Sequence, residues 1–228
     1  YMSYYKSTIA RYPDSYYAYR AYLHMNHTPG PIITNYLKEQ EVLYPYKNKP
    51  GIIKELVELK DFDILEEFAK DDDFLKSWIA YQKGEYTKSV VLARNAMSKL
   101  SPKPDKYDLR WRLVYPLHYY ADIKKYADIP GNNSPLMLSI VREESYFNPS
   151  AKSSVGALGL MQLMPQTASE IAAKHGVNKF TLYDPAQNIM LGNYYYAFLK
   201  TYLSGMDVSA IAAYNGGIGS VNNWKKSI

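Results

Sequence analysis

The chain has 228 residues, 47% of them hydrophobic and 21% charged, the make-up of one large globular domain or two modest ones and not of a disordered segment. Without cysteine it can form neither disulfides nor thiolate metal sites, and no apolar run approaches the roughly 18–20 residues of a membrane helix. A net charge of +5 and a pI of about 9.0 mildly favour anionic partners, but the basic residues are dispersed, so nucleic acid is not indicated and an acidic polymer fits equally well.

The 25 tyrosines and three tryptophans offer flat faces that can stack on sugar rings as well as pack. His24, His27, His118 and His175 are scattered. His24 and His27 lie three apart without a third ligand, so no metal site is expected. The chain opens at Tyr1 without a charged-then-apolar leader, which predicts a processed or excised protein whose secretion signal is already gone.

Residues 1–129 read as short helices and turns. Asp14 or Ser15, after the turn at Tyr12-Pro13, can cap a helix to Met25. Pro29-Gly30-Pro31 and Pro50-Gly51 break the chain before a helix predicted over 52–59. In 71–100, Trp78, Tyr81, Gly84, Tyr86 and Ala93 follow the spacing of a tetratricopeptide-type helix–turn–helix repeat. Acidic residues precede its first helix and Lys99 ends its second, as the helix dipole favours. One such unit cannot bury its own faces, so stacking into a helical solenoid is expected. Ser101-Pro102-Lys103-Pro104 separates it from 109–127, and the Pro/Gly/Asn-rich segment 128–135 has the composition of an interdomain joint. Beyond the joint glycines become frequent. Strand-like texture is confined to 180–183, so the chain is mainly α, a helical-hairpin solenoid followed by a second helical domain.

The second domain opens with Ser134 as the expected cap and Pro135 as the first helical residue. With Ile140 at zero and about 100° per residue, Met137 falls at about +60° and Val141 at about +100°. Glu144 falls at about +40°, inside this apolar arc, and Glu143 at about −60°, at its margin. A carboxyl on the apolar stripe loses water, which raises its pKa, as a general acid near neutral pH requires. The alternative is that Glu144 merely caps or leaves a fraying helix. Glu143 reads as solvated or paired with a cation.

Asn148-Pro149-Ser150 is a turn signal and Ser153–Gly156 a polar loop. The apolar knot Gly159–Pro165 carries one amide, Gln162, which must either brace the backbone or bind a ligand if buried. Thr167 can cap a helix running to His175, with Glu170 completing a capping box. In Ala210–Gly217 the small residues permit close packing and the paired glycines end a helix or start a turn. Tyr214 and Asn215 either face a cleft or belong only to a tightly packed helix end.

Together these knots resemble the soluble lytic murein transglycosylase family, which has a lysozyme-like catalytic domain. The resemblance rests on Glu144-Ser145, on Gly159-Leu160-Met161-Gln162 and on Ala213-Tyr214-Asn215-Gly216-Gly217, with 183–192 similar to the family's D-P-x-x-N-I-x-x-G segment. Leu113–Leu117 with Tyr119-Tyr120 resembles the passage joining the helical superhelix to the catalytic domain. The match is specific from about 113 to 224 and diffuse before it. It implies division into a superhelical region, 1–129, and a transglycosylase domain, 130–228.

The implied reaction cleaves peptidoglycan between N-acetylmuramic acid and N-acetylglucosamine, leaving a 1,6-anhydromuramyl end. The implied roles are Glu144 as acid/base, Ser153, Gln162, Met164, Tyr214 and Asn215 as cleft-lining groups, and Ser145, Gly159, Asn188 and Gly192 as structural residues. No metal or cofactor is implied. The partner is the glycan strand, and the location is the periplasm. Glycosidases usually set two carboxylates about the bond, yet between Glu144 and Asp184 only Glu170 is acidic, which fits chemistry assisted by the muramyl acetamido group. A lysozyme-type hydrolase and a glycan-binding module without turnover are the alternatives. The family continues past the position of Trp224 to an E-T-R-x-Y motif, so an end at Ile228 leads to the expectation of a shortened catalytic domain.

Overall fold

In the computed structural model the described residues are 51–104, 108, 110–126, 129–130 and 132–226. The predicted helix ending at Met25, the break at Pro29–Pro31 and the His24/His27 pair lie outside them. The described residues form ten helices: α1 Ile52–Leu59, α2 Phe62–Phe68, α3 Asp73–Gln82, α4 Tyr86–Lys99, α5 Arg110–Val114, α6 Tyr120–Lys124, α7 Ser134–Ser145, α8 Pro165–Lys174, α9 Pro185–Tyr202 and α10 Asp207–Lys226. Their only β-type pairing is two isolated bridges, Lys152 with Leu158 and Leu158 with Leu163.

The predicted hairpin is α3–α4. Asp72 caps α3 by accepting from the Leu75 amide at 2.9 Å, and Gly84 makes the turn at φ +77°. Ser77 donates to the Ser89 carbonyl at 2.8 Å, so the buried polar pair between the helices is satisfied. Val90 of α4 belongs to the same buried cluster as Met137, Ile140, Val141, Phe147, Met161, Tyr196 and Ala213. The hairpin and the later helices therefore share one core.

Three local expectations need correction. Asn133, not Ser134, caps α7: its extended backbone lets the side chain accept from the Leu136 amide, and Ser134 is already helical. α8 begins at Pro165, before Thr167, because Met164 is extended and proline supplies a helical φ. The helix has no side-chain cap, and Glu170 accepts from Gln166 at 3.1 Å. The segment 180–183 is no strand. α9 side chains take its backbone groups: Thr181 N donates to Gln187 Oε1 at 2.7 Å and Leu182 O accepts from Asn188 Nδ2 at 2.9 Å. The paired glycines do interrupt a helix, for Gly217 kinks α10 at φ 80°, ψ 154°.

His118 ties the hairpin to the segment after α7. Its ring stacks on Tyr86 (3.3 Å between centroids), lies 4.7 Å from Tyr81 and meets Phe147 edge-on at 5.7 Å. Its Nε2 is buried without a hydrogen-bond partner, and burial pushes its pKa from 6.5 down to about 3. Below 6.5 the unfolded chain takes up a proton that the folded chain refuses, so stability falls from there towards pH 3. Replacing His118 by Phe should flatten urea-derived stability against pH by about 1.4 kcal/mol per pH unit within that window. Parallel profiles for the two proteins would show that His118 is not buried in its neutral form.

Candidate active site

α7 carries Met137, Ile140 and Val141 into the core, and Glu144 follows on that face, half-buried. Ser145, buried, donates to the Val141 carbonyl at 3.0 Å. Tyr146 closes the helix in the left-handed conformation, its amide donating to the Arg142 carbonyl at 2.9 Å. Glu143 points outward, exposed, and pairs with Arg142. The two glutamates thus differ as helix phase requires. Burial, and secondarily the Glu143 charge, raises the Glu144 pKa.

Tyr214 of α10 lies close enough to feel the Glu144 charge. Its hydroxyl donates to the Met161 carbonyl at 2.7 Å, and its ring lies 5.3 Å from Tyr195 of α9. Burial first, then the Glu144 charge and Tyr195, push the Tyr214 pKa well above its ordinary value, so the phenol stays protonated. A protonated phenol and a carboxyl that favours its neutral form suit a site that delivers a proton.

The loop between α7 and α8 is built on its own backbone. The Ser153 amide donates to the Ala157 carbonyl and the Ser153 hydroxyl accepts from the Ala157 amide, both at 2.9 Å. Gln162, at φ 47°, donates to the carbonyls of Gly159 (2.9 Å) and Ala151 (3.3 Å). Of the two uses expected for this amide, bracing the backbone is thus met. Asn188 fixes the knot to α9: its Oδ1 accepts from the Met161 amide at 2.8 Å, while Nδ2 donates to Leu158 and Leu182 carbonyls at 3.0 and 2.9 Å. A Cβ at Gly159 would strike the Leu182 carbonyl and the Asn188 amide, and one at Gly192 would strike the Met161 sulfur. The backbone contact and positive φ require glycine at 159, and at 192 glycine leaves room for the Met161 side chain.

The structure thus brings Glu144, Tyr214, Met161 and the knot holding Gln162 into one neighbourhood. Met164 is exposed at 42%, and Asn215, next to Tyr214, is exposed too. Ser153 lies in the loop wall. Two residues escaped the sequence reading. Tyr195 could have been found, since Asn188, Gly192 and Tyr195 fall at i, i+4, i+7 on one helix face. Arg142, buried with Nε donating to the Val114 carbonyl at 2.8 Å, carries no such signal. Among the described residues no group of three or more His, Asp or Glu could hold a metal ion, and no helix is long and apolar enough to cross a membrane.

Comparison with known proteins matches residues 122–228 to the family described as the transglycosylase SLT domain. The match covers just under half of the chain. The chain is similar to the soluble lytic murein transglycosylase of Escherichia coli K12, 34% identical over 114 residues that make up 48% of this chain and 18% of that protein. It is also similar to membrane-bound lytic murein transglycosylase C of Edwardsiella ictaluri, 40% identical over 117 residues, 46% of this chain and 33% of that one. The chain therefore spans less than a fifth of the soluble relative and about a third of the membrane-bound one. In fold it resembles an inactive mutant of lytic transglycosylase Slt from Pseudomonas aeruginosa, with a TM-score of 0.61 and 24% identity over 98% of this chain and 40% of that one.

A raised folded-state pKa means that the folded chain holds the Glu144 proton more tightly than the unfolded chain, so Glu144 costs stability as pH rises above the ordinary value of 4.5. Replacing Glu144 by Gln should raise the thermal midpoint at pH 7 and leave it nearly unchanged at pH 4. An equal midpoint at pH 7 would mean that Glu144 is fully hydrated.

Proposed function

We propose that the chain is a peptidoglycan lytic transglycosylase that cleaves the β-1,4 bond between N-acetylmuramic acid and N-acetylglucosamine and leaves a 1,6-anhydromuramyl end. The observation carrying this reading is the half-buried Glu144 with its raised pKa beside the Tyr214 phenol, in a domain whose other carboxylates have structural work. Beyond Glu144 the chain has three: Glu170 accepts from Gln166, Asp184 caps α9 by accepting from the Gln187 amide at 2.8 Å, and Asp207 accepts from Tyr196 at 2.7 Å and pairs with Lys200 at 2.8 Å. Each of these three is thus committed to a structural contact and not set about the bond beside Glu144.

The chemistry then runs through one protein carboxyl. Glu144 gives its proton to the glycosidic oxygen as the bond from C1 of the muramyl residue breaks, and the muramyl 2-acetamido oxygen supports C1. The Glu144 carboxylate next takes the proton of the muramyl 6-hydroxyl, whose oxygen closes on C1. The proton returns to Glu144 and no water is consumed. Tyr214 holds the Met161 carbonyl beside this carboxyl, and Ser153, Gln162, Met164 and Asn215 line the strand's path. Ser145, Gly159, Asn188 and Gly192 keep the walls in place.

The same reading assigns the partner as the glycan strand, the place of action as the periplasmic side of the bacterial envelope, and a division near residue 130 between a positioning helical region and the catalytic domain. The test is digestion of purified sacculi with mass analysis of the released muropeptides. Wild type should release anhydromuramyl products, Glu144→Gln should release none above background, and Glu143→Gln should keep most of the activity. Reducing muramyl ends would mark a hydrolase, and tight strand binding without release would mark a binding module. Equal losses from both substitutions would sink the assignment to Glu144.

A further inference from the structure

The end of α7 is an unusual place for a group that must be held in a fixed direction. Immediately after Glu144-Ser145, Tyr146 (φ 48°) and Phe147 (φ 62°) are both left-handed, a conformation that side chains disfavour. Two successive residues of this kind persist only where their surroundings hold them. Phe147 is held by burial, 1% exposed, with the His118 ring against it. Tyr146 is only part-buried, and its anchors are cationic. Arg94 of α4 donates from its guanidinium to the Tyr146 hydroxyl at 2.5 Å and lies over its ring at 5.6 Å. Arg142 lies near the same ring at 6.0 Å.

Arg142 is itself fixed from outside the SLT domain. Its Nε donates to the Val114 carbonyl, and its guanidinium lies over the Tyr115 ring at 4.4 Å. It also holds Glu143, whose charge helps to raise the Glu144 pKa. Arg94, Val114 and Tyr115 all precede residue 122, where the family match begins. The last turn of the helix bearing Glu144 is therefore gripped by side chains and backbone that the domain does not contain.

We propose that the helical hairpin, through Arg94 and its bond to Tyr146, is a positioning element that sets the direction and the dryness of the Glu144 carboxyl. This rests on the reading of Glu144 as the acid. Arg94 is not a catalytic residue, since it acts through Tyr146. Without it the left-handed turn loses its cationic anchor, the last turn of α7 loosens, and water reaches the carboxyl.

The test compares wild type with Arg94→Ala, Arg94→Lys, Tyr146→Phe and the Arg94→Ala/Tyr146→Phe double variant. Two readouts are needed: steady-state kinetics on soluble glycan strands, and NMR titration of the Glu144 side chain, assigned with Glu144→Gln. Arg94→Ala and Tyr146→Phe should each lower kcat roughly fivefold to tenfold, with KM changed less than about twofold. The double variant should be no slower than the singles, because both remove one bond. Arg94→Lys should recover part of the loss. The Glu144 titration midpoint should fall towards the ordinary glutamate value in Arg94→Ala. Unchanged kcat and midpoint in Arg94→Ala, or losses that multiply in the double variant, would overturn the proposal. A wild type that releases no product would instead defeat the reading of Glu144 as the acid, and the titration would still decide whether Arg94 braces it.

Discussion

The site depends on one buried amide. Asn188 is fully buried and spends its side chain on three backbone groups, the amide of Met161 and the carbonyls of Leu158 and Leu182. Those bonds fasten the Gly159–Leu163 knot to α9, and only then does the Met161 carbonyl stand where the Tyr214 hydroxyl can reach it. Tyr214 in turn closes the wall beside Glu144. Leaving one buried polar group unpaired costs on the order of 1–3 kcal/mol, so a chain with several such groups at stake holds this geometry tightly. Gly159 serves the same fastening, because a Cβ there would strike the Leu182 carbonyl, whereas one at Gly192 would displace the Met161 side chain.

From this fastening follows the electrostatic character of the site. Glu144 sits on the apolar side of α7, and its helical neighbour Glu143 faces water and pairs with Arg142. Burial and a nearby like charge act in the same direction on Glu144. Tyr214 responds to the same surroundings and stays a phenol. Packing therefore favours the protonated form of both groups more than water would.

The helix phase of Glu144 was legible because the angular period of an α-helix is fixed and the stripe Met137, Ile140, Val141 is unambiguous. The hairpin at 73–99 was legible for a similar reason, and the paired glycines marked a break in the helix, though not that a helix resumes after it. Errors arose where two neighbouring residues can do the same job, as with Asn133 and Ser134 at the start of α7. The segment 180–183 looked like a strand because Phe, Thr and Tyr favour extended backbone, yet Gln187 and Asn188 take its hydrogen bonds. What the sequence could not disclose are contacts made across the chain: Arg94 meets Tyr146 from 52 residues away, and no local pattern marks either residue. Nor does any local pattern reveal that the Gln162 amide turns to the loop backbone.

An internal nucleophile is central to the proposed reaction, and the most direct measurement is to digest sacculi in heavy-oxygen water and weigh the muramyl products. A reaction closed by the muramyl 6-hydroxyl incorporates no solvent oxygen, so the released anhydromuramyl ends should keep their ordinary mass. Muramyl ends carrying one heavy oxygen atom would show that water attacks C1 and would contradict the single-carboxyl lyase mechanism built on Glu144.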